Sequence, residues 1–208
     1  MSFEIERKPH ASADTLERGR LRRIQIIEAA TQLFARTGYR GTGLAGIAAE
    51  VGVTQAALLH HFGTKEKLLE AVVRHRSEQD APLIERIIGD GGIGMFDRLP
   101  LLAEHNVGRP GLSQLFTVLV AENLLPEDPL HEFFGDRYRA LRDRIVTALR
   151  AGQERTEIRD DVDLVAVSQR LIAGMDGLQL QWLLNPDDTD LVEGFRELAE
   201  AMRRELAA

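Results

Sequence analysis

Residues 42–62, TGLAGIAAEVGVTQAALLHHF, decide how this chain is read. Thr42 is placed to cap a short helix carrying Leu44, Ile47, Ala48 and Val51. Gly52 interrupts it, and Thr54 is placed to cap a second short helix that ends near His60–Phe62. A helix-turn-helix needs these residue types in this order. Ala48, four residues before the break, lets two helices approach closely, and Gly52 supplies the left-handed backbone of a tight turn. Ile47, Val51, Val53 and Leu58 are expected to bury against a preceding helix, which leaves Thr54, Gln55, Ala56 and His60 outside. An exposed, mostly uncharged helix start suits the DNA major groove. Glutamine bonds bidentately to adenine, and an alanine or threonine methyl packs on a thymine methyl. The same pattern also fits a plain helical hairpin within a bundle.

Working outward, Ile24, Ile27, Ala30, Leu33 and Phe34 form one stripe, so a first helix is expected over Leu21–Thr37, closed by Gly38. Thr64 caps a fourth helix carrying Leu68, Leu69, Val72 and Val73, which Pro82 is expected to kink or restart. Further helices are expected near 95–106, 111–124, 130–155, 163–184 and 188–206. No segment alternates long enough to suggest a strand. The fold class is therefore all-α, with about nine helices: a three-helix head and a helical-bundle body. Residues 1–20 read as a disordered basic arm, 21–66 as the head and 67–208 as the body. The glycine-rich run 89–94 reads as the linker between head and body.

The run from Ile26 to Val73 resembles the N-terminal domain of the TetR family of bacterial regulators. The matching features are Ala30, Leu33 and Phe34, then Gly38-Tyr39, Thr42, Ile47-Ala48, Gly52-Val53-Thr54, His61-Phe62, Lys65-Glu66 and Leu68-Leu69. The resemblance implies that Thr42, His60 and Lys65 contact phosphates and that Gln55 and Ala56 face bases. Thr42 and Lys65 at helix starts suit phosphate oxygens, because free N–H groups and the helix dipole point there. Arg20, Arg22 and Arg23 either reach an adjacent backbone or minor groove, or form a solvated basic face. Two departures stand out. The family usually has glycine where this chain has Ala56, and tyrosine where it has Leu59, so one hydroxyl-to-phosphate contact is missing.

Charge agrees with a DNA-facing N-terminal end. Residues 1–76 hold 12 Lys+Arg against 8 Asp+Glu, and the remainder holds 14 against 25. An acidic body is repelled by phosphate, so only the N-terminal end suits it. Cysteine is absent, which excludes disulfide frameworks and thiolate metal sites. The first twenty residues lack a signal-peptide core, and no apolar run is long enough to span a bilayer. A cytoplasmic, nucleoid-associated protein is expected, with no membrane partner.

Several motifs mislead. Gly89–Gly94 formally matches G-x-G-x-x-G, but Leu83, Ile84, Ile87 and Ile88 before it have helical spacing where that fingerprint needs a strand. His60 and His61 are adjacent on a helix and diverge too far to share a metal. No nucleophile elbow or paired-acid motif is legible, so neither catalytic residues, metal nor cofactor are expected.

For the body, the resemblance implies a small-molecule effector site and a homodimer built from the last two helices. Leu112, Leu115, Phe116, Leu119 and Val120 form a stripe that Glu122 and Asn123 extend, either as polar contacts of a pocket or as a helix end entering solvent. The helix over 163–184 is apolar over a wide arc, with Leu171, Met175, Leu178 and Trp182 on one face and Ile172, Asp176, Gln179 and Leu183 on the next. Gly174 and Gly177 permit close helix approach. The last helix carries Leu191, Phe195, Leu198 and Met202. Pocket candidates are Phe96, Leu99, His105, Phe116, Leu119, Glu122, Asn123, Phe134, Tyr138, Met175 and Asp176, with Asp176 equally an interface residue. The two acids among them favour a cationic or hydroxyl-rich lipophile. The expected function is a repressor that binds a palindromic operator as a dimer and is released by a ligand. An effector-independent regulator or activator of the same fold is the alternative, followed by an enzyme or carrier.

Overall fold

The computed structural model describes residues 13–208, with side chains from residue 17 onward. The expectation of disorder over residues 1–12 lies outside the described residues. Among the described residues nine α-helices and one 3-10 turn follow in order: α1 (Ala13–Gly41), α2 (Leu44–Glu50), α3 (Gln55–Phe62), α4 (Lys65–Ile88), the 3-10 turn (Ile93–Arg98), α5 (Pro100–Val107), α6 (Pro110–Ala121), α7 (His131–Glu154), α8 (Leu164–Leu184) and α9 (Leu191–Leu206). Among the described residues the β-structure is a single bridge between Ile158 and Ala207. The chain divides into two compact units, one ending at Val72 and the other running from Val73 to Ala208.

In the first unit, α1 begins at Ala13, so residues 13–20, expected within a disordered arm, are its opening turns. Its backbone leaves helical geometry at Gly38, where the sequence placed the break. Ile26, Ile27, Ala30 and Phe34 are buried, as are Ile47, Ala48, Leu58, Phe62, Leu68 and Leu69. Val51 and Val53 are only half-buried. The core of this small unit therefore rests on one aliphatic or aromatic residue every third or fourth position of each helix.

The second unit is built around α7, α8 and α9 with the 3-10 turn and α5. Phe96, Leu99, Ala103, Leu149, Leu171, Met175, Phe195 and Met202 share its core. Asp163 caps α8 by accepting from the Val165 and Ala166 N–H groups, and Asp190 caps α9 by accepting from Glu193 N–H. A side chain on Gly174 would strike Leu198, so this glycine sets the close approach of α8 and α9 within the chain. The apolar stripe of α9, expected at a dimer interface, is buried here: Leu191, Phe195, Ala199, Met202 and Leu206 pack inside their own unit.

Two further expectations are corrected. Pro82 does not restart α4, which runs as one helix from Lys65 to Ile88. Proline removes one N–H, and the carbonyl it leaves without an intrahelical partner belongs to Glu78, an exposed residue. The glycine run 89–94 is not a linker between the units. It lies inside the second, where Gly92 N–H donates to Ala148 O of α7 at 2.7 Å and Ile93 N–H to Glu157 at 3.1 Å. Glycine is required there by close backbone packing, which sequence composition does not distinguish from flexibility.

Candidate DNA-reading head and effector cavity

The head is assembled around one turn. Gly52 has φ of 66°, and Val53 N–H donates back to Ala48 O at 2.9 Å, which joins α2 to α3. Thr54 Oγ1 then accepts from Ala57 N–H at 3.1 Å and caps α3. Gln55 and Ala56, the first two residues of α3, are exposed together with Thr54 and His60. Leu59 is half-buried in the helix wall. The first turn of α3 thus presents a capping threonine, an amide and a methyl, a set able to read base edges without adding charge.

Three of the residues implicated in DNA contact also hold the head together. Arg22 Nη1 donates to Val51 O at 3.1 Å, satisfying a carbonyl at the C-terminal end of α2. Arg23 lies over the Phe62 ring at 4.8 Å. Lys65 Nζ donates to Tyr39 O at 2.7 Å and sits 4.4 Å from the centre of the Tyr39 ring. Burial, then the neighbouring Glu66 carboxylate, pushes the Tyr39 phenol up to about 12. Arg20, by contrast, pairs with Glu17 on the exposed side of α1.

Thr42 is placed differently from its expectation. Gly43, not Thr42, precedes α2 as its cap. Thr42 is 5% exposed, and its hydroxyl is engaged inward with Gly38 O at 2.8 Å, Leu33 O at 3.3 Å and Thr37 Oγ1 at 2.7 Å. It pins the corner between α1 and α2, and its side chain is not presented outward.

The second unit encloses a cavity of about 520 Å³. Of the pocket candidates, Leu99, Phe116, Tyr138, Met175 and Asp176 line it. Phe96, Leu119 and Phe134 are core residues, and Phe134 packs edge-on against Phe116. His105 stands behind the wall, with Nε2 2.9 Å from Asp80 Oδ1. Glu122 is exposed at the end of α6. Asn123 is buried but closes a loop, donating to Leu119 O at 2.7 Å and accepting from Leu130 N–H at 3.0 Å.

The polar wall is largely one the sequence reading missed. Arg76 Nε donates to Asp80 Oδ2 at 2.5 Å, and both residues are buried. Gln179 links Asn106 to Thr117, accepting from Asn106 Nδ2 at 2.8 Å and donating to Thr117 at 3.0 Å. Tyr138 donates to Asp176 at 2.8 Å. Arg137 lies over the Phe116 ring at 5.1 Å, and desolvation pulls its pKa down. Asp176 stands at the rim. Desolvation by the wall raises its carboxyl above the usual range despite Tyr138 and Arg137. Arginines 76 and 137 are spaced along α4 and α7 like ordinary surface cations. Only the packing of the helices brings them to one chamber. The expected bias toward a cation falls with Glu122, which is not in the wall.

Among the described residues no group of His, Asp and Glu is arranged to hold a metal ion, and no helix is long and apolar enough to cross a membrane. A helix-turn-helix head with an exposed reading helix, carried with a helical unit that encloses a cavity, defines a DNA-binding regulator with room for a small molecule.

Two family descriptions match most of the chain: bacterial regulatory proteins of the tetR family over residues 26–72, and the C-terminal part of BetI-type transcriptional repressors over residues 109–208. The chain belongs to the TetR family of bacterial transcriptional regulators, a family of regulators and not of enzymes. It is 28% identical over 183 residues to the HTH-type transcriptional repressor AcnR of Corynebacterium diphtheriae, covering 86% of this chain and 90% of that one. It is 28% identical over 184 residues to the HTH-type transcriptional regulator TtgR of Pseudomonas putida, covering 86% and 88%. In fold it matches a transcriptional regulator from Saccharomonospora viridis in complex with choline, with a TM-score of 0.76, 24% identity and coverage of 91% and 99%.

Proposed function

We propose that this regulator is a homodimeric repressor whose two heads read the half-sites of a palindromic operator, and that a small molecule in the cavity of the second unit releases it. The observation that carries this reading is the continuity of α4. One unbroken helix begins at Lys65, beside the reading helix, and about three turns later supplies Arg76 and Asp80 to the cavity wall. A ligand that favours one position of that wall shifts the population of head arrangements, provided it binds the two states unequally. The filled-body alternative, an effector-independent regulator, has no use for a 520 Å³ chamber lined with hydrogen-bonding groups. A cytoplasmic, nucleoid-associated location follows from the same reading.

The dimer surface is assigned to α8 with support from α9. Val165, Leu180 and Leu184 of α8 are exposed, while the main apolar stripe of α9 is spent inside the unit. Light scattering at micromolar concentration is expected to report about twice the 23.2 kDa chain mass. A monomer at that concentration removes the palindrome and the release mechanism together. Operators selected from random DNA are expected to be symmetric, and addition of metabolite fractions to lower affinity for them.

Gln55 and Ala56 are assigned to base edges, His60 and Lys65 to phosphates, and Arg22 and Arg23 to bracing the head while facing the backbone. Lys65→Ala is expected to weaken binding to every sequence alike and to flatten the salt dependence by roughly one unit per head. It is also expected to lower the melting temperature of the head, because the tie to Tyr39 O is lost. A change in the preferred base would reassign Lys65 to readout.

A further inference from the structure

The charges lining the cavity are not evenly satisfied. Asp80 has both carboxylate oxygens engaged, one by Arg76 Nε and the other by His105 Nε2. Asp176 accepts the Tyr138 hydroxyl. Arg144, a third cation in the wall, is already paired with Glu85. On the cationic side Arg137 has no direct partner, and Arg76, paired with Asp80 through Nε, keeps one unused donor. Arg76 is buried, and its Nη1 is a fully enclosed donor with no acceptor. Arg137 makes no ion pair or hydrogen bond through its guanidinium among the described residues. It lies over the ring of Phe116, whose centre is also 5.9 Å from the Arg76 guanidinium carbon. Both arginines line the chamber, so Phe116 carries a guanidinium on each of two approaches to the same space.

Buried donors are ordinarily satisfied, and a guanidinium held in a low-dielectric wall with Asp80 and Asp176 near it but out of direct contact is costly. A fork of N–H donors is also the group best matched to a carboxylate, which accepts two parallel hydrogen bonds from it. The remaining wall is aliphatic and aromatic, with Ile84, Ile87, Met95, Leu99, Leu102 and Leu171 among its surfaces. An occupant complementary to this chamber has an apolar body and a single anionic head. We infer that the effector is a lipophilic organic acid whose carboxylate is held by Arg137. This rests on the effector role proposed above for the cavity and names the chemical class that fills it. The choline complex of a fold relative marks the opposite charge as the rival class.

The test uses the full chain and three matched series of probes: straight-chain carboxylates from octanoate to tetradecanoate, the primary alcohols of the same lengths, and the alkyltrimethylammonium ions of the same lengths. Binding is measured by calorimetry and by the shift in melting temperature. At least one carboxylate is expected to bind at least tenfold more tightly than its alcohol and its ammonium counterpart. Arg137→Met is expected to lower carboxylate affinity at least tenfold and to leave alcohol affinity unchanged, and Arg137→Lys to retain part of the preference. No binding across the acid series, or ammonium probes binding as tightly as acids, overturns the assignment on the unmutated chain alone. Equal acid affinity in the Arg137→Met protein overturns it as well. The two readings fail separately. Acid binding that depends on Arg137 but leaves operator affinity unchanged keeps the ligand class and removes the effector role. Release of operator by a metabolite fraction, with no acid bound, removes the ligand class and keeps the role.

Discussion

Gln55→Ala is expected to cost about 1–3 kcal/mol per head on the preferred operator, and roughly twice that for a dimer reading two half-sites. The expectation follows from the first turn of α3. Thr54 is committed to its cap through the bond from Ala57 N–H, and Ala56 offers only a methyl. Gln55 is therefore the one residue of that turn with a free amide on an exposed surface. Binding to random DNA is expected to fall far less, because the phosphate contacts assigned to His60 and Lys65 remain. The measurement is the ratio of specific to non-specific affinity, wild type against variant, at one salt concentration. An unchanged ratio would show that Gln55 reads nothing. Readout would then have to come from DNA shape or from the basic start of α1, although Arg22 and Arg23 are already engaged with Val51 O and Phe62.

Gly91→Ala carries the second large effect, on stability. Gly91 has φ of 72°, and a Cβ there would lie 2.6 Å from Ala148 O and 2.9 Å from Ala148 Cα. Those atoms are backbone of α7, and Ala148 is itself buried, so relief requires the whole turn to lift away. Positive φ in a residue other than glycine costs about 1–3 kcal/mol, and the clash adds to it, so a loss of roughly 3 kcal/mol in urea denaturation is expected. Gly94→Ala is the control. Its Cβ meets nothing within 4 Å and its φ is not positive, so a change within about 0.5 kcal/mol is expected. Equal tolerance at both positions would return this stretch to the flexible linker that its composition suggests.

Local signals decided how much could be read without coordinates. Gly52 between Ala48 and Thr54 specifies a turn whose geometry depends on its own residues, and the structure has that turn with its cap. Gly38 likewise ends the regular part of α1 where its apolar stripe ends. The reading failed where one residue type serves two purposes. Thr42 before a helix looks like a cap, but its hydroxyl has three acceptors or partners in the corner behind it, and Gly43 takes the cap position instead. Pro82 looks like a break, yet α4 continues through it, and the carbonyl it leaves without an intrahelical partner belongs to the exposed Glu78. Asn123 at the end of an apolar stripe looks like a pocket group, and is a loop clamp.

Hydrophobic period, caps and breaking residues lie within a few positions of one another, so the chain alone determined an all-α protein, the helix-turn-helix and the outward face of its reading helix. Those features depend on contacts one or two turns apart. The chamber is different in kind. Arg76, Arg137 and Asp176 stand on α4, α7 and α8, and nothing in the spacing of one helix indicates which neighbour its polar residues will face. Which arginine is paired, which is left over and which acid is already used are properties of three helices packed together. Only the tertiary structure decided most of them: the Arg76–Asp80 pair lies four residues apart on α4, but the contacts of Asp80 with His105 and of Tyr138 with Asp176 join different helices and are set by where those helices come to rest.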